Sequence, residues 1–377
     1  MAQPITLVGG TVVTPDGTLE RADVPMAGGV FMDKVKDAQA IDCRGHYVLP
    51  GIVDVHGDAF ELELHPRPGV DIAFPIAIGS IDKQLVSNGI TTAFHGLTVS
   101  WEPGARSLGA ARRFMGDLAA ARPRLMADHR VQLRWEVFAH ETLADIARWL
   151  RETPTPAIAF NDHTTDTLDL MAAGRTDKLD PWARRAGVDL DTYLALASTV
   201  AQSAAAVPAK VAEVARLGRA HSAVMLSHDE RTRADRSANR ALGMRVCEFP
   251  LAPEVAADAR ANGEPVVMGG PNVIRGASHK GLMSAEEAIG EGLCTVLASD
   301  YYYPSLLHAA ERLVARGVTS LAAAWSLISQ NPADAMGLAD RGAIAPGRQA
   351  DAVVVDASGP WRIVHTITRG IITRFGA

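Results

Sequence analysis

The stretch that decides the fold is YVLPGIVDVHGD, residues 47–58, where an apolar run ends in a histidine and an aspartate two positions apart. In a β-strand, residues i and i+2 point to the same face, so His56 and Asp58 leave the strand end side by side. An imidazole and a carboxylate at that spacing can bind one divalent cation together. The alternative is a polar turn after a buried strand, and the segment alone leaves both interpretations open.

The length and composition of the chain are those of a globular protein with a sizeable core. Its 377 residues, 47% of them hydrophobic, suffice for one domain of roughly 250–300 residues and a smaller one. No apolar run approaches the ~20 residues of a membrane span, and the N-terminus lacks a secretory signal pattern. The three cysteines, Cys43, Cys247 and Cys294, are widely spaced, which favours a reducing, cytoplasmic setting over a disulfide framework.

The charges of the chain indicate which classes of binding partner to expect. The formal net charge is −6 and no long basic block is present, so nothing supports nucleic-acid binding. A few local residues can still set a positive field, and an anionic small substrate therefore stays possible.

The middle of the chain alternates apolar strands with amphipathic helices, the pattern of parallel βα units. Eight strand candidates can be counted, at residues 53–56, 91–97, 131–137, 157–160, 222–226, 246–249, 266–268 and 295–298. This count predicts an α/β fold of the (β/α)₈ TIM-barrel type. A doubly wound sheet is the alternative, but no GxGxxG turn supports it.

Short strands with turn chemistry between them occupy both ends of the chain. They predict a small β-sandwich domain that both termini build together. The predicted boundaries are 1–48 for the N-terminal part of the sandwich, 49–344 for the barrel and 345–377 for the C-terminal part.

Catalytic groups of such barrels lie at the carboxyl ends of the strands. Five strand candidates carry or run into an imidazole or a carboxylate there: His56 with Asp58, Glu136, His163, His228 and Asp300. Each alone could be a turn residue, a salt-bridged wall residue or a helix cap. Five at corresponding positions favour a functional site over structural coincidence.

This order of residues resembles the amidohydrolase superfamily of binuclear metallohydrolases, as do NPA at 331–333 and RGAIAPGRQAD at 341–351. Two features depart from the common pattern. The usual His-x-His is His56-x-Asp58, and the 131–137 strand has no lysine for carboxylation, so Glu136 is the available bridge. The resemblance implies two divalent ions, Zn, Mn or Fe. It implies that His56, Asp58 and Asp300 hold one ion, that His163 and His228 hold the other, and that Asp300 accepts a proton from the attacking water.

A longer run, MGGPNVIRGASH at 268–279, with SHD at 227–229, EFP at 248–250 and SDYY at 299–302, resembles the branch of that superfamily serving bacterial phosphonate utilisation. Members of this branch hydrolyse α-D-ribose 1-methylphosphonate 5-triphosphate to the 5-phosphate and pyrophosphate. The resemblance therefore implies a cytoplasmic diphosphatase with a small anionic phosphorylated substrate and no nucleic-acid or membrane partner. It leaves room for a homo-oligomer and for other phosphonate-pathway proteins as partners.

A triphosphate must meet cationic or donor side chains, and the candidates are Arg67, Arg275, His279 and Lys280. Arg275 and His279 follow the 266–268 strand, where phosphate sites are frequent in these barrels. The structural alternatives are a surface ion pair for Arg67 and a salt bridge to a neighbouring loop for Arg275. One of the three tyrosines at 301–303 is expected to line the pocket.

Two other functions compete with the diphosphatase. One is an amidohydrolase acting on a C–N bond, a deaminase or cyclic amidase, because the scaffold alone does not decide the reaction. The other is a non-catalytic relative with a scaffolding role. Such a relative should lack the metal ligands, whereas all six positions are filled here.

Overall fold

A computed structural model of the chain describes residues 3–67, 69–276 and 283–375. Its strands form two sheets, one from the two chain ends and one from the middle. The end sheet comprises β1 (Ile5–Val13), β2 (Leu19–Ala27), β3 (Val30–Phe31), β4 (Gln39–Asp42), β5 (Tyr47–Pro50), β14 (Ala352–Asp356), β15 (Arg362–Thr368) and β16 (Ile371–Arg374). The middle sheet comprises β6 (Ile52–Gly57), β7 (Ile90–Val99), β8 (Asp128–Glu136), β9 (Ala157–Asn161), β10 (Met225–His228), β11 (Val246–Glu248), β12 (Val266–Gly269) and β13 (Val296–Ala298).

The middle sheet is a closed barrel of eight strands. Neighbours in the chain are neighbours in the sheet from β6 to β13, and every pair is parallel. The circle closes between the last and first strands, where the Asp300 N–H donates to the His56 carbonyl and the Asp58 N–H donates to the Asp300 carbonyl, both at 2.9 Å. The predicted (β/α)₈ barrel is confirmed, with a strand at each of the eight predicted places.

A buried aspartate fastens this closing seam. Oδ1 of Asp54 accepts the Ser299 N–H at 2.9 Å, and Oδ2 accepts the Ser299 hydroxyl at 2.6 Å. A Cβ at Gly57 would lie 2.7 Å from Asp54 Oδ2 and 2.9 Å from Ser299 Oγ. Since real Cβ contacts are not that short, the seam itself requires the glycine between His56 and Asp58.

The helices pack mainly outside the barrel strands. In chain order they are α1 (Phe60–Leu64), α2 (Phe74–Ser87), α3 (Leu108–Ala121), α4 (Leu143–Trp149), α5 (His163–Ala172), α6 (Asp180–Ala186), α7 (Leu190–Ala201), α8 (Val207–Ala220), α9 (Arg233–Leu242), α10 (Pro253–Ala261), α11 (Gly270–Arg275), α12 (Ala285–Gly290), α13 (Ser305–Ala315), α14 (Leu321–Ser326) and α15 (Gln330–Ala335). The sequence pattern predicts one helix over 190–217, but the structure has α7 and α8 there. Pro208 lies in the first turn of the second helix, where proline is tolerated, whereas it is not tolerated in a helix interior.

The two ends of the chain meet in the end sheet, as predicted. β5 pairs antiparallel with β14, and β1 pairs with β2, β4 and β5. This sheet has its own buried apolar cluster, which includes Leu7, Met26, Phe31 and Val354. The chain passes from β5 into the barrel at Gly51. None of the described helices combines the length and apolar character that a membrane span requires.

Candidate active site

A cleft of about 930 Å³ opens at the carboxyl ends of the barrel strands. Its lining includes predicted site residues from four different strand ends together with one further carboxylate: His56, His163, His228, Asp229 and Asp300. The barrel thus brings together side chains that lie up to 244 positions apart in the chain.

Three sets of side chains at the barrel mouth have the composition of a metal site, and within each set the potential ligand atoms all lie within 4.8 Å of one another. Two sets consist of histidine and aspartate: His56, Asp58 and Asp300 form one, and His163, His228 and Asp229 form the other. The third, His56, His228 and Glu248, joins the two through the carboxylate of Glu248, which is hydrogen-bonded to Nδ1 of both rings. Imidazole and carboxylate donors suit Zn, Mn and Fe, so the residues present fit the implied group. Asp229 was not among the predicted ligands, although it directly follows His228 in the quoted SHD motif.

Glu248, the last residue of β11, holds two of the imidazoles in place. Its Oε1 lies 2.9 Å from His56 Nδ1 and its Oε2 lies 2.7 Å from His228 Nδ1, and Gln132 Nε2 donates to Oε1 at 2.7 Å. A carboxylate accepts hydrogen bonds, which assigns the proton of each ring to Nδ1 and leaves both Nε2 atoms as ligands. Glu248 belongs to the EFP motif, and no role was predicted for it; its place near the end of a strand candidate was the available signal.

The charges of Glu248, His56 and His228 stabilise one another. Burial disfavours ionised Glu248, but the neighbouring His56 and His228 outweigh that and hold its pKa well below the usual range. Burial likewise works against protonated His56, yet the charge of Glu248 holds the pKa of this imidazole above its ordinary value. Glu248 is therefore an ionised acceptor throughout the neutral range.

Three residues at the mouth have left-handed backbone conformations, Asp229 (φ 55°), Phe249 (φ 51°) and Asp300 (φ 55°). Each follows a barrel strand, and each donates its N–H to a carbonyl of a neighbouring strand at 2.9–3.0 Å. The conformation costs a residue other than glycine roughly 1–2 kcal/mol, and such strain is concentrated at functional sites. All three line the cleft.

Glu136 lies at the edge of this arrangement. Its Oε1 accepts the Thr164 hydroxyl at 2.7 Å, and its carboxylate accepts the N–H groups of His163 and Thr164 at 3.2 Å each, so it caps α5. Oε2 is 3.7 Å from His163 Nδ1, and Glu136 belongs to none of the three ligand sets. Burial raises the pKa of Glu136 to about 8. Its role as a bridge between two ions stays a prediction.

Arg134 is a site residue that sequence reasoning missed. Its Nη1 donates to Asp58 Oδ2 at 3.1 Å, and the buried Nε has no hydrogen-bond partner in the part of the chain that the structure describes. Gln132, Arg134 and Glu136 alternate with the apolar Leu133 and Trp135 in the second half of β8, so all three point to one face of the strand. That alternation was the available signal.

The predicted anion-binding residues are distributed differently. Arg275 lines the cleft, whereas Arg67 lies in an exposed turn, where its carbonyl accepts the Val70 N–H at 3.0 Å, and is absent from the cleft lining. His279 and Lys280 lie outside the described residues. Of the three tyrosines, Tyr301 lines the cleft.

A (β/α)₈ barrel whose mouth gathers His and Asp side chains defines a class of hydrolases. The sequence matches the amidohydrolase family over residues 162–373, and the chain belongs to that family, whose members generally use divalent metals. The chain is 31% identical over 328 residues to the α-D-ribose 1-methylphosphonate 5-triphosphate diphosphatase of Escherichia coli K12. The aligned region covers 84% of this chain and 85% of that protein.

Solved structures of the same fold include a dihydropyrimidinase from Brevibacillus agri NCHU1002, with a TM-score of 0.58, 16% identity and coverage of 98% of this chain and 95% of that one. A β-aspartyl dipeptidase from Fervidobacterium islandicum AW-1 has a TM-score of 0.62 at 15% identity, with coverage of 98% and 96%. At these identities the likeness concerns the fold alone.

Proposed function

We propose that the protein is a metal-dependent diphosphatase that hydrolyses α-D-ribose 1-methylphosphonate 5-triphosphate to the 5-phosphate and pyrophosphate. The observation that carries this proposal is the 31% identity to the Escherichia coli diphosphatase over most of both chains. The cleft supports it, because two His/Asp ligand sets and Arg275 face one space. Such a space suits a substrate that carries several negative charges.

The metal centre follows from the ligand sets. His56, Asp58 and Asp300 would hold one divalent ion, and His163 and His228 the other, with Asp229 as an added ligand and Glu136 as the proposed bridge. When bound, two such ions supply Lewis acidity and lower the pKa of a water molecule towards neutrality.

Asp300 is the proposed proton acceptor. Burial raises the pKa of its carboxyl, and the negative charge of nearby Asp58 adds to that effect. Asp300 lies in one ligand set with His56 and Asp58, so its carboxylate is placed to take a proton from the attacking water and return it to the leaving pyrophosphate oxygen. The hydrogen bonds of its main chain to His56 and Asp58 across the seam hold this residue at the barrel mouth.

Two other residues prepare the site without reacting. Glu248 orients His56 and His228 through Nδ1, which keeps both rings from rotating out of the ligand position. Arg134 donates to Asp58 Oδ2 and lines the cleft, so its charge offsets part of the repulsion between the Asp58 and Asp300 carboxylates.

The test is a product assay on the metal-reconstituted enzyme with α-D-ribose 1-methylphosphonate 5-triphosphate. We expect stoichiometric release of pyrophosphate and loss of that release on chelation. The matched control is a panel of cyclic amides and aminopurines assayed for ring opening and ammonia. Turnover of that panel without any pyrophosphate release would replace the diphosphatase by a C–N hydrolase on the same scaffold.

A further inference from the structure

A second cleft of about 860 Å³ lies beside the one that holds the ligand sets. The two clefts share two lining residues, Arg134 and His163. The second cleft therefore begins where the ligand sets end. A substrate cleaved at that junction would place one product in each cleft.

The second cleft has walls of its own. Trp182 and Arg185 come from α6, Tyr193 from α7, and Trp101 and Glu102 from the loop after β7. These helices have a separate apolar cluster, in which Tyr193 packs with Trp101 and Trp182. Gly104 (φ 75°) permits the close approach, because a Cβ there would lie 2.8 Å from the Ala186 carbonyl oxygen.

The arginines of the second cleft are already neutralised. Arg185 contacts both Glu102 oxygens at 3.2 Å, and Arg106 pairs with Glu61 at 2.9 Å. In contrast, Arg275 in the first cleft has no carboxylate at ion-pair distance among residues 3–67, 69–276 and 283–375. A polyphosphate binds best to cationic side chains that have no carboxylate partner, so it fits the cleft of Arg275 better than the second cleft.

The second cleft instead offers what a sugar requires. Tyr193 donates its hydroxyl to Glu102 at 2.8 Å, and the Glu102 carboxylate retains lone pairs for ring hydroxyls. Arg106 Nε is buried without a hydrogen-bond partner among the described residues, a donor available to a hydroxyl or phosphonate oxygen. Trp101 is half-buried and packs on the buried Tyr193 with 5.6 Å between the ring centroids, so its exposed part supplies an apolar face against which a furanose can pack.

From this arrangement we propose that the substrate lies across the junction at Arg134 and His163, with its ribose 1-methylphosphonate end in the Trp101–Glu102–Arg185 cleft and its leaving pyrophosphate in the Arg275 cleft. This assignment rests on the proposed function and adds the specificity-determining residues Glu102 and Arg185 to it. Glu102 and Arg185 bind the ring end and take no part in bond cleavage.

The experiment measures inhibition of the metal-loaded enzyme by each product separately, α-D-ribose 1-methylphosphonate 5-phosphate and inorganic pyrophosphate. We expect Glu102→Gln and Arg185→Met to raise the Ki of the ribose product about tenfold or more and to leave that of pyrophosphate within about twofold. Arg275→Ala should do the reverse. Arg184→Met is the matched control, because Arg184 lies beside Arg185 on the same helix, pairs with Asp180 and is largely exposed.

The outcomes separate the two claims. If wild-type enzyme releases no pyrophosphate from the triphosphate, the proposed function fails. If the wild-type enzyme does release pyrophosphate, the function stands and the Ki values of the second-cleft variants test the assignment of the clefts. That assignment is wrong if these variants change both Ki values equally, change neither, or change only the Ki of pyrophosphate. Two second-cleft variants are used so that misfolding of one, checked by circular dichroism, does not remove the test.

Discussion

The two ends of the barrel treat charge in opposite ways. At the amino end, Arg341 pairs with Asp128 at 2.7 Å and Asp340 at 2.9 Å and donates to the Thr92 hydroxyl at 2.7 Å. At the carboxyl end, the carboxylates of Asp58 and Asp300 lie together in one ligand set. The amino end pairs these charges within the protein, whereas the carboxyl end holds two carboxylates together, of which Asp58 bonds to Arg134.

This difference separates stability from function. Buried charges that are fully paired contribute to the folded state or at least do not oppose it. Like charges held together destabilise the fold unless a ligand neutralises them, and a barrel keeps its chemistry at the carboxyl end. Variants at the two ends should therefore affect different measurements.

The largest effect is expected for Asp300→Asn. The amide keeps the shape and one ligand oxygen but cannot accept the proton, so kcat should fall by about 10²–10⁴ while the thermal midpoint changes little. Steady-state pyrophosphate release and metal content by mass spectrometry check this. Turnover equal to that of the wild type would remove Asp300 from its proposed role.

The opposite result is expected for Arg341→Met at the amino end. Removing the guanidinium leaves Arg130 as the one ion-pair partner of Asp128 among the described residues, and breaking a buried pair costs roughly 3 kcal/mol of unfolding free energy. Urea unfolding measures the loss, and kcat per folded molecule should not change. The control is Arg184→Met, whose exposed pair with Asp180 should cost less than about 1 kcal/mol.

A smaller effect is expected for Glu248→Gln. The amide cannot accept a hydrogen bond from both imidazoles equally well, so metal affinity should fall about 10–100-fold. Competition against a chromophoric chelator gives the affinity without an activity assay. Glu264→Gln is the matched control, since Glu264 is equally buried but pairs with Arg240 and Arg236; similar losses of affinity in both variants would contradict an orienting role for Glu248.

The smallest effect concerns pH and a site outside the cleft. Burial, reinforced by His129 and Arg122, holds the pKa of His95 well below 6.5, and its Nε2 lies 2.9 Å from His129 Nδ1. Below about pH 6.5 the unfolded chain binds a proton at His95 that the folded chain does not bind. The free energy of unfolding should therefore decrease as the pH is lowered, by up to about 1.4 kcal/mol per pH unit. His95→Gln should reduce this slope in urea unfolding at pH 7.5, 6.5 and 5.5. An unchanged slope would assign the acid sensitivity to other groups.

Sequence predicts most of the barrel because strand period and strand ends are local properties. Each predicted strand is found, and the HGD motif correctly marks a barrel mouth. Partnerships across the barrel are not local: Glu248 bonds to His56, which lies 192 positions away, and no spacing rule reports that. The contact of Asp58 with Arg134 could not be predicted from the sequence for the same reason.

Local signals do not decide where two roles compete for one residue. From the sequence, Glu136 fits a metal bridge or a salt-bridged wall residue; the structure shows that it caps α5 through Thr164 and His163, and its bridging role stays a prediction. The single helix predicted over 190–217 was wrong, because a proline signals both a helix start and a helix break. Only the tertiary position of α8 decides between them.

The seam at Gly57 has a consequence for how the protein is made. Asp54, Gly57 and Ser299 lock the first barrel strand to the last one, and the same contact brings Asp300 to His56 and Asp58. During synthesis the first ligand pair leaves the ribosome more than 240 residues before its third member. We expect that nascent chains ending before residue 299 bind no metal at this set, so that ion capture marks the completion of the barrel.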